Sequence, residues 1–296
     1  MDPTAELLAS LTAASWAPDT RMATLRRLGD RTRDEVERWL DGAKKVVHIG
    51  YASHANTGDH LILRAEQMMF DDLGVEYVPL PMDTFRIPEE LRGFPLLFKG
   101  GGYLGDPGAW HYKKMSRWIL RQKAPVLLMP SSAYFKTVDP ALWQRTCRWA
   151  DVTVFSRDTI SLGIVNDLVP DLARLVPDSA FYAARALSHR PGGTAVLLPR
   201  SDRETGGAGL PDRYPQVEIR EWLEKGVDPD NVLDVIAQKL DGVGWLGTDR
   251  LHVHVAAKIL GIPHDFLGNS YHKNRAFHGT WSVHDPLVQW VTTGGA

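Results

Sequence analysis

Residues 242–260 read GVGWLGTDRLHVHVAAKIL, and their two periodicities decide the fold. Gly242 to Leu246 is a short apolar run, while Leu251, Val255, Ile259 and Leu260 recur at helical spacing. A strand therefore passes into a helix through Gly247-Thr248-Asp249-Arg250-Leu251-His252. The first amides of such a helix lack intrahelical partners and its dipole favours negative charge there, so Arg250 and His252 in that turn suit a phosphate or carboxylate. Asp249 or Thr248 is expected to cap the helix. A capped helix whose Arg250 merely pairs with a nearby acid fits the hexapeptide equally well.

The same alternation runs through the chain, and it specifies an α/β protein with parallel sheets covered by helices. Strands are predicted at Lys45–Tyr51, Val75–Leu80, Leu96–Lys99, Val126–Met129 and Val152–Phe155, with helices at Asp59–Asp72, Trp110–Gln122, Pro140–Ala150 and Asp158–Asn166. Pro170 to Pro191 reads as a crossover, and Thr194–Leu198 opens a second, smaller set of elements. The expected domains are residues 1–185 and 186–296, with one or two helices from the first forty residues laid against the first sheet. Arg200 to Pro215 reads as a mobile surface loop.

Composition narrows the function classes. The chain has 296 residues, 44% hydrophobic and 24% charged, with a net charge of -2. That charge gives no electrostatic basis for nucleic-acid binding. No run approaches the roughly 20 apolar residues of a membrane span, and no secretory signal is expected at the N-terminus, so the expected compartment is the cytoplasm. The single cysteine, Cys147, reads as a small buried side chain. The eleven histidines form no zinc signature, because His252 and His254 point to different helix faces. Trp16, Trp39, Trp118, Trp143 and Trp149 read as core, whereas Trp110 and Tyr134 are candidate sugar platforms. Basic pairs such as Lys113-Lys114 read as solvated faces, which allow at most a peripheral membrane contact.

Ligands of open parallel sheets bind beyond the carboxyl ends of the strands, so the residues following each run are the candidate ligand contacts. They are Ser53 to Asp59, Gly100 to Asp106, Pro130-Ser131-Ser132 and Ser156-Arg157-Asp158. Gly58 permits close backbone approach, and Asp59 is a candidate helix cap. The triple glycine lacks the spacing of a dinucleotide or phosphate loop, so its position counts for more than its pattern.

Taken in order, Asn56-Thr57-Gly58-Asp59, Lys99 to Leu104, Pro130-Ser131-Ser132, Ser156-Arg157-Asp158, Pro177-Asp178-Ser179-Ala180, Thr248 to His252, Gly261-Ile262-Pro263 and Asn269 to Asn274 resemble the polysaccharide pyruvyl transferase family. The resemblance covers most of the chain beyond residue 45. It implies a GT-B-like fold of two Rossmann-type domains facing a cleft, the second smaller. It also implies transfer of the enolpyruvyl unit of phosphoenolpyruvate onto sugar hydroxyls, forming a pyruvate ketal on an exopolysaccharide or cell-surface glycan precursor at the inner face of the membrane. The acceptor is then a saccharide, free or lipid-linked, and the reaction calls for no metal or redox cofactor.

On that reading Arg157, Arg250 and Lys273 are the cations for phosphoenolpyruvate, because phosphate and carboxylate both accept bidentate or charge-assisted hydrogen bonds. Leu251 and Asn274 join them from the same motifs. His252 is the proton donor, having an intrinsic pKa near neutrality, and Asp59 is the base for the acceptor hydroxyl, with His54 as an alternative proton carrier. Asn56, Gly58, Gly101, Gly102, Ser131 and Ser132 are the expected acceptor or cleft residues. Two other classes share the fold: a GT-B glycosyltransferase using a nucleotide sugar, and a non-catalytic glycan-binding protein. The second has no use for so many convergent cations.

Overall fold

The computed structural model describes residues 3–51, 55–84, 86–106, 109–120, 124–202, 204–205 and 214–292. The chain divides into two compact units, one of residues 30–53 and 65–179, the other of 1–29, 54–64 and 180–296.

The first unit carries a seven-stranded parallel sheet of β1 (Lys45–Tyr51), β2 (Glu76–Pro81), β3 (Leu96–Phe98), β4 (Gly101–Gly105), β5 (Val126–Tyr134), β6 (Val152–Ser156) and β7 (Ala173–Leu175). Their order is β2-β1-β3-β5-β6-β7, with β4 pairing the outer half of β5. The five central residues of β1 are all buried, as a strand covered on both faces requires. On one face Val47, Ile49, Phe98, Leu128 and Val154 pack with Met115 and Trp118 of α4 (Ala109–Ile119), Trp143 of α5 (Ala141–Trp149) and Val165 of α6 (Thr159–Leu168). Asp158 caps α6 by accepting the Ser161 N–H at 2.7 Å.

The second unit holds a five-stranded parallel sheet ordered β12-β11-β10-β8-β9. Its strands are β8 (Thr194–Leu197), β9 (Glu218–Ile219), β10 (Val243–Thr248), β11 (His264–Leu267) and β12 (Val288–Val291), and its helices include α7 (Val232–Lys239), α8 (Leu251–Leu260) and α9 (Lys273–Trp281). The chain thus has two Rossmann-type parallel sheets, each with its own helices. Among the described residues no helix is long and apolar enough to cross a membrane.

Several expectations are corrected. Strand β5 continues through Pro130, Ser131 and Ser132 to Tyr134, because it gains partners in β4 and β6. Glycines 101, 102 and 105 lie in a strand, and the crossover after Pro170 contains β7 and a 3-10 segment over Ser179–Arg185. Residues 1–29 belong to the five-stranded unit. There Arg21 of α2 (Arg21–Leu40) donates to Asp285 at 3.0 Å and to the Lys258 carbonyl at 3.0 Å, and the Lys258 ammonium stands 3.9 Å from the Trp16 ring. Amphipathicity tells which face of a helix is apolar but not which surface it covers. Trp149 is 78% exposed, so it is not core. Cys147 is partly buried in the packing around α5, and burial pushes its thiol up to about 12. Within Arg200 to Pro215, residues 203 and 206–213 lie outside the described residues, but Arg200, Asp202, Glu204 and Thr205 are held by side-chain contacts.

Candidate active site

The β10–α8 junction gathers most of the expected residues into the five-stranded unit. Thr248 ends the strand: its hydroxyl donates to the Leu198 carbonyl at 2.7 Å and accepts the Arg250 N–H at 3.0 Å. Arg250 occupies the N-cap position of α8, so neither Asp249 nor Thr248 does. Asp249 instead turns inward, fully buried, accepting the Arg200 backbone N–H at 2.7 Å and the Thr205 hydroxyl at 3.0 Å. Its own carbonyl accepts Asn274 Nδ2 at 2.7 Å, which fastens the start of α9 to the junction.

Arg250 is 4% exposed. Its Nε donates to the Pro199 carbonyl at 2.8 Å, while its Nη2 is buried with no hydrogen-bond partner among the described residues. Burial lowers the pKa of this guanidinium, and the neighbouring Arg200 charge lowers it further. A buried guanidinium with one unused donor at a helix amino end has the chemistry to receive an anion. Two neighbouring amides are in a similar state. Asn269 Oδ1 accepts the Asn274 N–H at 3.2 Å, which leaves Asn269 Nδ2 buried without a partner among the described residues. Asn274 Nδ2 donates to the Asp249 and Leu267 carbonyls, which leaves its Oδ1 in the same condition.

Lys273, at the first position of α9, is held by Glu204, and Glu204 also lies 3.3 Å from Arg200 Nη2. Burial works to raise the Glu204 carboxyl, but Lys273 and Arg200 overcome it and hold the carboxyl below its ordinary range. Asp202 pairs with Arg200 at 2.8 Å.

His252 is half-buried in the first turn of α8, beside Leu251, which is buried. It lies against the start of α3 (Thr57–Leu73): a Cβ built on Gly58 would stand 2.7 Å from His252 Nδ1 and 2.8 Å from its Cβ. Glycine is required there for that approach. Asn56, not Asp59, caps α3, its Oδ1 accepting the Gly58 N–H at 3.2 Å while its Nδ2 donates to Asp59 at 2.7 Å. Asp59 is thereby oriented in the first turn. The Thr57 hydroxyl donates to the Trp222 carbonyl and the Glu224 N–H to the Ala55 carbonyl at 2.9 Å, fixing this turn within the unit. His54 and the Trp110 side chain lie outside the described residues.

The structure therefore brings Asn56, Gly58, Asp59, Arg250, Leu251, His252, Lys273 and Asn274 into one unit. Arg157, Gly101, Gly102, Ser131 and Ser132 belong to the other. Arg157 is 1% exposed and bonded to Asp178 at 2.9 Å and to the Ser132 hydroxyl at 2.9 Å. Ser132 also donates to Asp158, and Ser131 donates to the Met129 carbonyl. Both serines are buried, and these bonds tie the outer half of β5. Gly101 is buried, Gly102 half-buried, and both lie within β4.

Sequence reasoning missed Arg200, Asp202, Glu204 and Asn269, although residues 199–205 follow β8 at the same strand-end position that singled out the others. It also missed Glu66, which is fully buried and accepts the Gly100 N–H at 2.9 Å, the Ser179 hydroxyl at 3.1 Å and His48 Nε2 at 2.8 Å. This carboxylate braces the glycine run and the Pro177–Ala180 motif from within the sheet unit. His254 is a packed histidine, bonded to His264 at 2.7 Å and to Ser282 at 2.9 Å and stacked on Phe266. Among the described residues no group of three His, Cys, Asp or Glu side chains is placed to hold a metal ion.

The polysaccharide pyruvyl transferase profile matches residues 56–240. The chain belongs to that family. It is 27% identical to pyruvyl transferase 1 of Schizosaccharomyces pombe over 82% of this chain and 71% of that one. EpsO of Bacillus subtilis is 21% identical over 83% and 88% of the two chains. A solved Klebsiella pneumoniae protein of uncharacterized function shares the fold with a TM-score of 0.68 at 21% identity, covering 90% of this chain and 99% of its own. The profile ends before β10, so Arg250, His252 and Lys273 lie outside the segment it matches.

Proposed function

We propose that this family member transfers the enolpyruvyl unit of phosphoenolpyruvate onto two hydroxyls of a saccharide, releasing phosphate and leaving a pyruvate ketal. The observation that carries the reading is the Arg250 guanidinium, buried at the amino end of α8 with Nη2 unused among the described residues. Phosphoenolpyruvate brings a phosphate and a carboxylate, and Arg250, Asn269 Nδ2, the Leu251 amide and Lys273 supply donors suited to both.

In this reading His252, as imidazolium, delivers a proton to the methylene carbon of the enol, which makes C2 electrophilic. A sugar hydroxyl then forms a bond to C2 while Asp59 accepts its proton. The C2–O bond to phosphate breaks, phosphate departs with the electron pair, and a second hydroxyl closes the ketal and gives up its proton. Asn56 orients Asp59, and Gly58 sets how closely the α3 backbone meets His252. The acceptor is a precursor of an exopolysaccharide or surface glycan, met in the cytoplasm at the inner face of the membrane.

The test is incubation of the pure protein with phosphoenolpyruvate and a panel of sugars, following phosphate release and ketal formation. Sugar-dependent phosphate release is the expected result. Release of a nucleoside diphosphate from a nucleotide sugar, without any need for phosphoenolpyruvate, would assign the protein to glycosyl transfer instead.

A further inference from the structure

Around Asp249 three cations, Arg200, Arg250 and Lys273, face three acids, Asp202, Glu204 and Asp249. The acids are not equivalent. Asp249 is fully buried and accepts a backbone N–H and a hydroxyl, so it is fixed. Asp202 accepts both arms of the Arg200 fork at 2.9 and 2.8 Å and the Glu204 N–H at 3.0 Å. Glu204 meets Lys273 and the edge of Arg200, with its side chain 21% exposed against 6% for Lys273.

The two cations nearest the α8 and α9 starts are therefore in different states. Arg250 presents an Nη2 unused among the described residues, whereas Lys273 already carries a carboxylate. The backbone beneath that carboxylate is anchored: the Glu204 carbonyl accepts the Ser270 N–H at 3.1 Å, and Thr205 bridges Asn269. Rotation of the Glu204 side chain alone, without movement of the main chain, would release Lys273.

We propose that the Glu204 carboxylate stands on Lys273 in the place taken by the second anionic group of the donor, so that Glu204 is an internal competitor for a ligand carrying two anions. A ligand with a single anion takes Arg250 and leaves Glu204 seated. A ligand bearing both a phosphate and a carboxylate must displace it, and its apparent affinity is reduced by the fraction of time that Lys273 is occupied. The inference rests on the proposed function only for the identity of the physiological donor.

The experiment measures calorimetric affinities of inorganic phosphate and of phosphoglycolate, which has both anionic groups but no enolpyruvyl unit to transfer. Glu204→Gln is expected to tighten phosphoglycolate on the order of 10-fold while leaving phosphate within about 2-fold. Lys273→Met in the Glu204→Gln background should remove the gain, since the two side chains are coupled. Glu204→Ala serves as a second variant, and melting curves establish that each variant folds. Unchanged or weaker phosphoglycolate binding in the Glu204 variants would overturn the inference, as would an equal gain for phosphate. A gain for phosphoglycolate in a protein that transfers nothing from phosphoenolpyruvate would uphold the inference and defeat the functional proposal.

Discussion

Two arginines stand at corresponding junctions of the two sheets, Arg157 between β6 and α6 and Arg250 between β10 and α8, and they have opposite fates. In Ser156-Arg157-Asp158 the acid comes last, so Asp158 caps its helix and Arg157 points inward to Asp178. In Thr248-Asp249-Arg250 the order is reversed. Asp249 points inward to the residues after β8, and Arg250 takes the cap position with no hydrogen-bond partner for Nη2 among the described residues. The order of two neighbouring residue types separates an arginine held in a buried ion pair from one whose Nη2 has no hydrogen-bond partner among the described residues. A strand-end arginine is thus informative only together with the position of its aspartate.

The largest expected effect breaks the Arg157 side of this comparison. Arg157→Met leaves Asp178 and Ser132 buried without their donor, and removal of one partner of a buried pair costs about 3–5 kcal/mol. The denaturant midpoint of the unliganded protein is expected to fall accordingly, whereas Arg250→Ala should leave it nearly unchanged. Equal losses from the two variants would erase the distinction.

His252 gives the next largest effect. His252→Ala is expected to lower kcat roughly 100-fold with a weaker change in donor affinity, the signature of lost proton transfer. Steady-state phosphate release at varied phosphoenolpyruvate separates the two parameters. Near-normal kcat would make this histidine a packing partner of Gly58 and nothing more.

A smaller effect distinguishes the two ends of α8. Beyond the Arg250 end, the helix meets a buried polar network in which Lys258 reaches Asp285 at 3.1 Å and the Ser282 hydroxyl at 3.0 Å. Burial lowers Lys258 to about 8 and His278 to about 4. For a histidine whose folded pKa lies below the unfolded value near 6.5, the unfolded chain binds more protons between those values, so stability falls as pH drops from 6.5 towards 4. His278→Gln should make that limb shallower, the remainder being carried by His254 and His264, which burial also lowers, and leave stability at pH 7 nearly unchanged. Urea midpoints between pH 4 and 7 provide the check, and an unaltered slope would show that His278 does not carry it.

How much of this was legible in the sequence follows from the range of each signal. The β1 strand matches its apolar run, and the β10–α8 junction was placed from two periodicities, because both are local. Strand β4 was not, since three glycines carry no side-chain pattern and became a strand only by pairing with β5. The sequence does not decide the cap of α3 between Asn56 and Asp59, because both are good cap residues and the choice depends on where the first helical turn closes. Arg200 and Glu204 were hidden in a polar stretch whose order comes from Asp249 and Lys273, 49 and 69 positions away. Glu66 and His48 were hidden for the same reason: one is a helix acid, the other a strand histidine, and only the fold joins them.

The most direct measurement of the central claim is the melting temperature of wild-type and Arg250→Ala protein with and without phosphoenolpyruvate. A ligand that binds only the native state raises apparent stability with its concentration. The wild-type melting temperature is expected to rise with ligand, while Arg250→Ala keeps the unliganded value and loses the rise. A mutant that retains the full ligand-induced shift would contradict the claim that Arg250 holds the donor.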